Sequence, residues 1–177
     1  NPFNSMGEMY FRMGKLDESI VKFKEALEVK PDFSSSWKIS YIYALKEDYG
    51  EALRWIDQFI STAPSVLWQS FGHQLKGFYF YILGDLDQAF EEIEKSEELA
   101  KKINDNSLID IAYRIKLWIC YEWGKIDLFR EYQKIRMDFR ANNNIGDETE
   151  NNIISNFYEG LADLKTGQIE SAKSKLS

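Results

Sequence analysis

What the chain has little of narrows its function first. Cys120 is its only cysteine and His73 its only histidine. A single cysteine forms no intrachain disulfide and fits a reducing, cytoplasmic setting. One thiol and one imidazole make no Cys/His cluster for a metal. A lone histidine packs or faces solvent far more often than it ligates. No nucleophile elbow or oxyanion pattern accompanies His73, so Ser-His-Asp chemistry has no support. No glycine-rich phosphate loop occurs either. Catalytic residues, a metal and a cofactor are therefore not expected. No apolar run reaches the length of a membrane-spanning helix, and no signal-peptide pattern is visible. Basic charge is scarce: 22 Lys and Arg against 29 Asp and Glu give a net charge of −7. A nucleic-acid partner, which needs a basic stripe, is disfavoured. Only three prolines occur, Pro2, Pro31 and Pro64, each near an expected helix boundary. The chain opens on Asn-Pro without Met and stops within a helical pattern, and so reads as a piece of a longer protein.

What is present is apolar and periodic. Hydrophobic residues make up 44% of the 177 and aromatics 15%, enough for a packed structure. Useful strand-period alternation is missing, and apolar residues recur at helical spacing. The expected fold class is therefore all-α. Within it one turn keeps returning. Gly14-Lys15-Leu16-Asp17 comes back as Gly84-Asp85-Leu86-Asp87, Gly124-Lys125-Ile126-Asp127 and Gly167-Gln168-Ile169-Glu170, with the variant Glu47-Asp48-Tyr49-Gly50 between the first two. A period of this size implies stacked helix pairs rather than one globular core. The expected units are approximately 1–31, 32–64, 65–104, 107–141 and 152–177. They form a single array of about five repeats over 1–177, the last truncated. Residues 141–152, ANNNIGDETENN, read as a polar loop. Asp17 is the expected cap of the second helix, and Asp32 to Ser36 the polar start of the third.

Small residues stand where two helices would approach. They sit seven before the turn anchor (Gly7, Ser40, Gly77, Gly160) and five after it (Ser19, Ala52, Ala89, Ala172). Large apolar residues fill between them: Tyr10 and Phe23, Tyr43 and Ile56, Phe80 and Ile93. Unit four departs from this pattern, with Leu117 and Phe129 at the small positions and Gln133 and Arg136 in place of core types. Among the acids, Asp85, Asp87, Asp105 and Asp110 read as helix caps. Glu91, Glu92, Glu94, Glu97 and Glu98 read as a solvated face. Cys120 reads as a small buried hydrophobe.

This register resembles the tetratricopeptide repeat (TPR), and the resemblance covers nearly the whole chain. It implies a superhelix of antiparallel helix pairs whose first helices line a concave groove. Carried over through the turn register, the groove positions are Asn4, Glu8 and Phe11, then Trp37 and Tyr41, then Gln74, Phe78 and Tyr81. They continue as Arg114, Trp118 and Tyr121, then Phe157, Leu161 and Leu164. The family's carboxylate clamp is not matched, because Glu8, Tyr41 and Phe78 occupy its positions. Two outcomes are open for the aromatic stripe: an exposed binding surface, or rings packed internally between long helices. The resemblance implies a non-enzymatic interaction scaffold that binds an apolar or basic protein or peptide. A sensor or regulatory region of a larger signalling protein is the alternative. Self-association through the terminal repeats is a further expectation.

Overall fold

The computed structural model describes residues 1–30 and 35–177. Its described residues form ten helices and no strand. The helices are α1 (Pro2–Arg12), α2 (Leu16–Val29), α3 (Ser35–Leu45), α4 (Tyr49–Thr62), α5 (Val66–Ile82), α6 (Leu86–Lys102), α7 (Asn106–Glu122), α8 (Ile126–Asn142), α9 (Glu148–Lys165) and α10 (Ile169–Leu176). Consecutive helices pack as antiparallel pairs, and each pair stacks on the next. The interior is accordingly a row of clusters, not one core. Phe23, Ile39 and Trp55 come first, then Ile56, Phe59 and Tyr79, then Ala89, Ile93 and Ile119, then Leu117, Phe129 and Tyr158.

Local chemistry sets the helix ends. Asn1 Oδ1 accepts from the Phe3 N–H, with Pro2 in the first turn. Asp48, Asp85 and Asp147 each accept from an N–H three residues on, and Asp105 accepts from two. At the five turn anchors the backbone is left-handed. Gly14, Gly84, Gly124 and Gly167 have φ between 71° and 78°, and Glu47 has φ 61°. A Cβ at those four glycines would meet nothing, so conformation rather than space favours glycine there. The other glycines answer to space. A Cβ on Gly77 would lie 2.7 Å from Ile93 Cδ1 and 3.1 Å from the Ala89 carbonyl oxygen. Where serine takes one of the close-approach positions its hydroxyl turns inward and bonds the facing backbone: Ser19 Oγ donates to Gly7 O at 2.8 Å, and Ser40 Oγ to Ala52 O at 2.7 Å.

Several expectations need correction. Asp17 does not cap α2. Lys15 holds the cap position without a side-chain bond, and Asp17 lies in the first turn, paired with Lys46. The loop at 141–152 shrinks to 143–147, because α8 runs through Asn142 and Asp147 starts α9. Asn144 (φ 55°) and Gly146 (φ 71°) reverse the chain in that short space. Pro31 and Asp32–Ser34 lie outside the described residues, while Ser35 and Ser36 already belong to α3, buried. In unit four Leu117 and Phe129 are both fully buried, so that pair packs through bulk where the others use small residues.

Candidate functional site

The odd-numbered helices present one continuous face. On α1 and α3, Phe11, Trp37 and Tyr41 gather with Glu8, Phe23, Lys38 and Ile42 around a pocket of about 120 Å³. The Phe11 and Tyr41 rings stand 6.2 Å apart. Lys38 Nζ bridges Glu8 Oε1 at 2.5 Å and Asn4 Oδ1 at 3.1 Å, and lies over the Phe23 and Trp37 rings. The one acid in this pocket is thus already neutralised.

The middle of the face is apolar. Phe71, Gln74, Leu75 and Phe78 of α5 and Ile115 of α7 line one pocket. Phe78 and Tyr81 of α5 with Ile115 and Trp118 of α7 line the next, of about 250 Å³. The two share Phe78 and Ile115 and follow the α5/α7 seam. Phe78 is 45% exposed and stacks on Tyr81 at 6.4 Å. Trp118 meets Phe157 of α9 edge-on at 6.4 Å, and Phe157 is 42% exposed. Isolated exposed hydrophobes are ordinary, but contiguous ones on a single face are not.

The carried-over residues therefore fall into two groups. Phe11, Trp37, Tyr41, Gln74, Phe78, Tyr81 and Trp118 line pockets of this face. Phe157 borders them through Trp118. Tyr121 is half-buried and packs on Trp118 and Phe129, so its ring belongs more to the interior. Arg114 is exposed and makes no hydrogen bond or ion pair with a described residue. Trp37 Nε1 and Gln74 Nε2 are sealed from the surface and find no acceptor. Burial raises the Tyr81 hydroxyl pKa, helped by the negative charge of nearby Glu122.

The Tetratricopeptide repeat profile matches residues 3–33. Solved structures share the architecture along almost the full chain. A Podosopora anserina protein with nearly identical TPR-like repeats, described as a kinesin light chain, superposes with a TM-score of 0.76 at 12% identity. It covers 99% of this chain and 90% of its own. The apo form of RapI gives 0.77 at 12% identity, covering 98% and 66%. YrrB, a TPR protein with an unusual peptide-binding site, gives 0.63 at 14% identity, covering 99% and 81%. The chain folds as a TPR solenoid. No curated protein matches its sequence.

The TPR register locates four further lining residues that the carried-over positions omit. Lys38, Leu75 and Ile115 sit nine before their turn anchors, on the same helical edge as the positions ten and six before. Phe71 sits one turn earlier still. Their helical spacing was the available signal.

Away from the groove, the TPR helices are joined by ion clusters that composition concealed. Glu92 and Glu97 are not part of a solvated face. Glu92 accepts from His73 Nδ1 at 2.7 Å and pairs with Lys76 and Lys95. Burial opposes its charge, but the bonds from His73 and Lys95 and the charge of Lys76 prevail and hold its pKa down at about 2. Glu97 lies 2.7 Å from Lys116 Nζ, with both side chains under one-tenth exposed. Asp110 is not a cap. It receives Arg136 in two bonds of 2.8 and 2.9 Å and Arg140 in a third of 3.1 Å. Arg136 Nη1 also donates to the Tyr158 hydroxyl of α9. Asp87 lies in the first turn of α6, capped by Asp85. Among the described residues no group of three or more His, Cys, Asp or Glu is placed to hold a metal. No helix of the described residues is long and apolar enough to cross a membrane.

Proposed function

We propose that this chain is a non-catalytic protein-interaction scaffold that holds a segment of a partner in the groove formed by α1, α3, α5, α7 and α9. The observation that carries it is the half-exposed strip Phe78–Tyr81–Ile115–Trp118–Phe157, contributed by three successive repeats on one face. Aromatic rings held by neighbouring repeats, already ordered and only partly covered, are the chemistry of an interface hot spot. The groove holds little net charge of its own, since Glu8 is neutralised by Lys38. Affinity there comes from apolar burial rather than from ion pairing. That YrrB is a TPR protein with a peptide-binding site supports the same assignment by analogy.

The test is selection of peptides from a random library on the intact chain, followed by titration of the enriched sequences against the Phe78→Ala/Trp118→Ala variant. Loss of two anchors should weaken binding by about 30-fold or more, with far-UV circular dichroism unchanged. Equal binding to both proteins would remove the groove assignment.

A further inference from the structure

The α5/α7 seam has the features of a berth for a third helix. From Phe71 to Tyr81 it follows ten residues of α5, or about 15 Å. Its seven lining residues carry only three polar side-chain groups: the Gln74 amide, the Tyr81 hydroxyl and the Trp118 indole N–H. The Gln74 N–H₂ nitrogen is sealed from the surface, and so is the Trp37 indole nitrogen on the neighbouring helix. An extended segment laid here would bring an N–H and a C=O per residue and leave most of them unmet. A helix meets its own backbone groups and needs only an apolar ridge. The charges at the two ends of the seam are also distinct. Arg114 and Glu122 are eight residues apart on α7, about 12 Å, with Ile115 and Trp118 between them. Both are exposed, and neither has an ion-pair partner among the described residues. Each borders the strip: Arg114 adjoins Ile115 and lies one turn before Trp118 on α7, and Glu122 lies one turn after Trp118, near enough to Tyr81 to raise its hydroxyl pKa.

Resting on the groove reading above, we infer that the partner is an amphipathic helix of about three turns. It packs along the α5/α7 seam with apolar residues at i, i+3/i+4 and i+7. An acidic side chain sits over Arg114 and a basic one, seven or eight residues away, over Glu122. The apolar ridge supplies the binding and the two charges set the register.

The experiment uses synthetic helical peptides and the whole chain. The first peptide has a Leu/Phe ridge with Glu and Lys eight residues apart beside it. The second replaces both charges by Gln, and the third is the first with a central Pro. Fluorescence anisotropy measures affinity, and circular dichroism reads the peptide's helicity on binding. The charged peptide should bind about tenfold more tightly than the Gln peptide. Arg114→Glu should remove that advantage while leaving the Gln peptide's affinity unchanged. Proline should weaken binding at least tenfold. Failure of this inference and failure of the groove reading give different results. If the Pro peptide binds as well as the first and still requires Phe78, the groove stands and the helical partner falls. The helical partner also falls if the helical peptides fail to bind while library peptides bind through Phe78. If the charged and Gln peptides bind alike, the charge register is wrong. If Phe78→Ala affects no peptide, the groove itself is wrong.

Discussion

Glu92 offers the sharpest test of how the middle repeats are held. Its side chain is 5% exposed and faces three cationic or protonatable groups: His73 at 2.7 Å, Lys95 at 3.1 Å and Lys76 at 3.5 Å. These hold its pKa at about 2, against 4.5 for an unperturbed glutamate. At 1.36 kcal/mol per unit, the difference corresponds to about 3 kcal/mol favouring the folded, ionised form. The sign follows from the direction of the shift. A depressed carboxyl stabilises the fold fully above about pH 4.5, and the contribution drains away as the pH falls towards 2. Glu92→Gln keeps the shape and removes the charge. At pH 7 it should cost about 2–3 kcal/mol. The lower figure applies if Lys76 and Lys95 fall back on Asp57 and Glu91, each already 2.8 Å away. Urea titrations at pH 7, 5, 4 and 3 should show the variant's acid slope flattened relative to wild type. Stacked repeats can open in parts, so hydrogen exchange of the α5 and α6 amides should be read beside the global midpoint. A loss under about 0.5 kcal/mol at pH 7, or an unchanged acid slope, would refute the ionised-anchor reasoning.

Three other outcomes follow from the packing. Gly77→Ala gains about 1 kcal/mol of helix propensity but drives a Cβ into Ile93 and the Ala89 carbonyl. A net loss of about 1–2 kcal/mol is expected in urea denaturation, and a stabilised protein would show that the α5–α6 approach is looser than described. Arg136→Met should cost about 2–4 kcal/mol, because Asp110 keeps only Arg140. The cycle with Asp110→Asn should show coupling of at least about 1 kcal/mol, and additive losses would dissolve the cluster. Burial raises the Cys120 thiol to about 11, so at pH 8 iodoacetamide should label it only after denaturation. Rapid labelling of the native protein would contradict its burial.

The turn register made the fold legible because left-handed anchors and close-approach positions leave few residue choices. The spacing of Gly14, Gly84, Gly124 and Gly167 is enough to place eight of the ten helices. Side-chain positions on the groove could be inferred in the same way. Their environment could not. Phe11 and Tyr81 stand three residues before their turn anchors and line the pockets of the groove, yet Tyr121, at the same place on α7, packs inward because Phe129 rather than a small residue lies beneath it. The glutamates of α6 were illegible for another reason. A run reading EEIEKSEELAKK looks solvated along one helix, and only the arrival of Lys76 from α5 and Lys116 from α7 shows that two of its acids are covered. Such partners lie 16 to 26 residues away in the sequence, beyond any helical periodicity.

Those long-range pairs also explain why the repeat signature fades after Pro64. In the first two units the approach of paired helices is set by Gly7 with Ser19 and by Ser40 with Ala52. From α5 onwards most helices are 17 residues long rather than 11 or 14, and the extra turns carry charges inward. Asp57–Lys76–Glu92 joins α4, α5 and α6. Glu97–Lys116 joins α6 and α7. Asp110 with Arg136 and Arg140 joins α7 to α8, and Glu150 with Arg140 carries the join to α9. Arg130–Asp163–Lys175 closes α8, α9 and α10. In a solenoid each repeat is stabilised by its own packing and by its contact with the next. Directional ion clusters fix orientation at those contacts. In the α7–α8 pair Leu117 and Phe129 then stand in place of small residues, and Gln133 in place of a core hydrophobe. The same arrangement bears on binding. Paired charges are drawn away from the α5/α7 seam, and at its ends Arg114 and Glu122 have no ion-pair partner among the described residues.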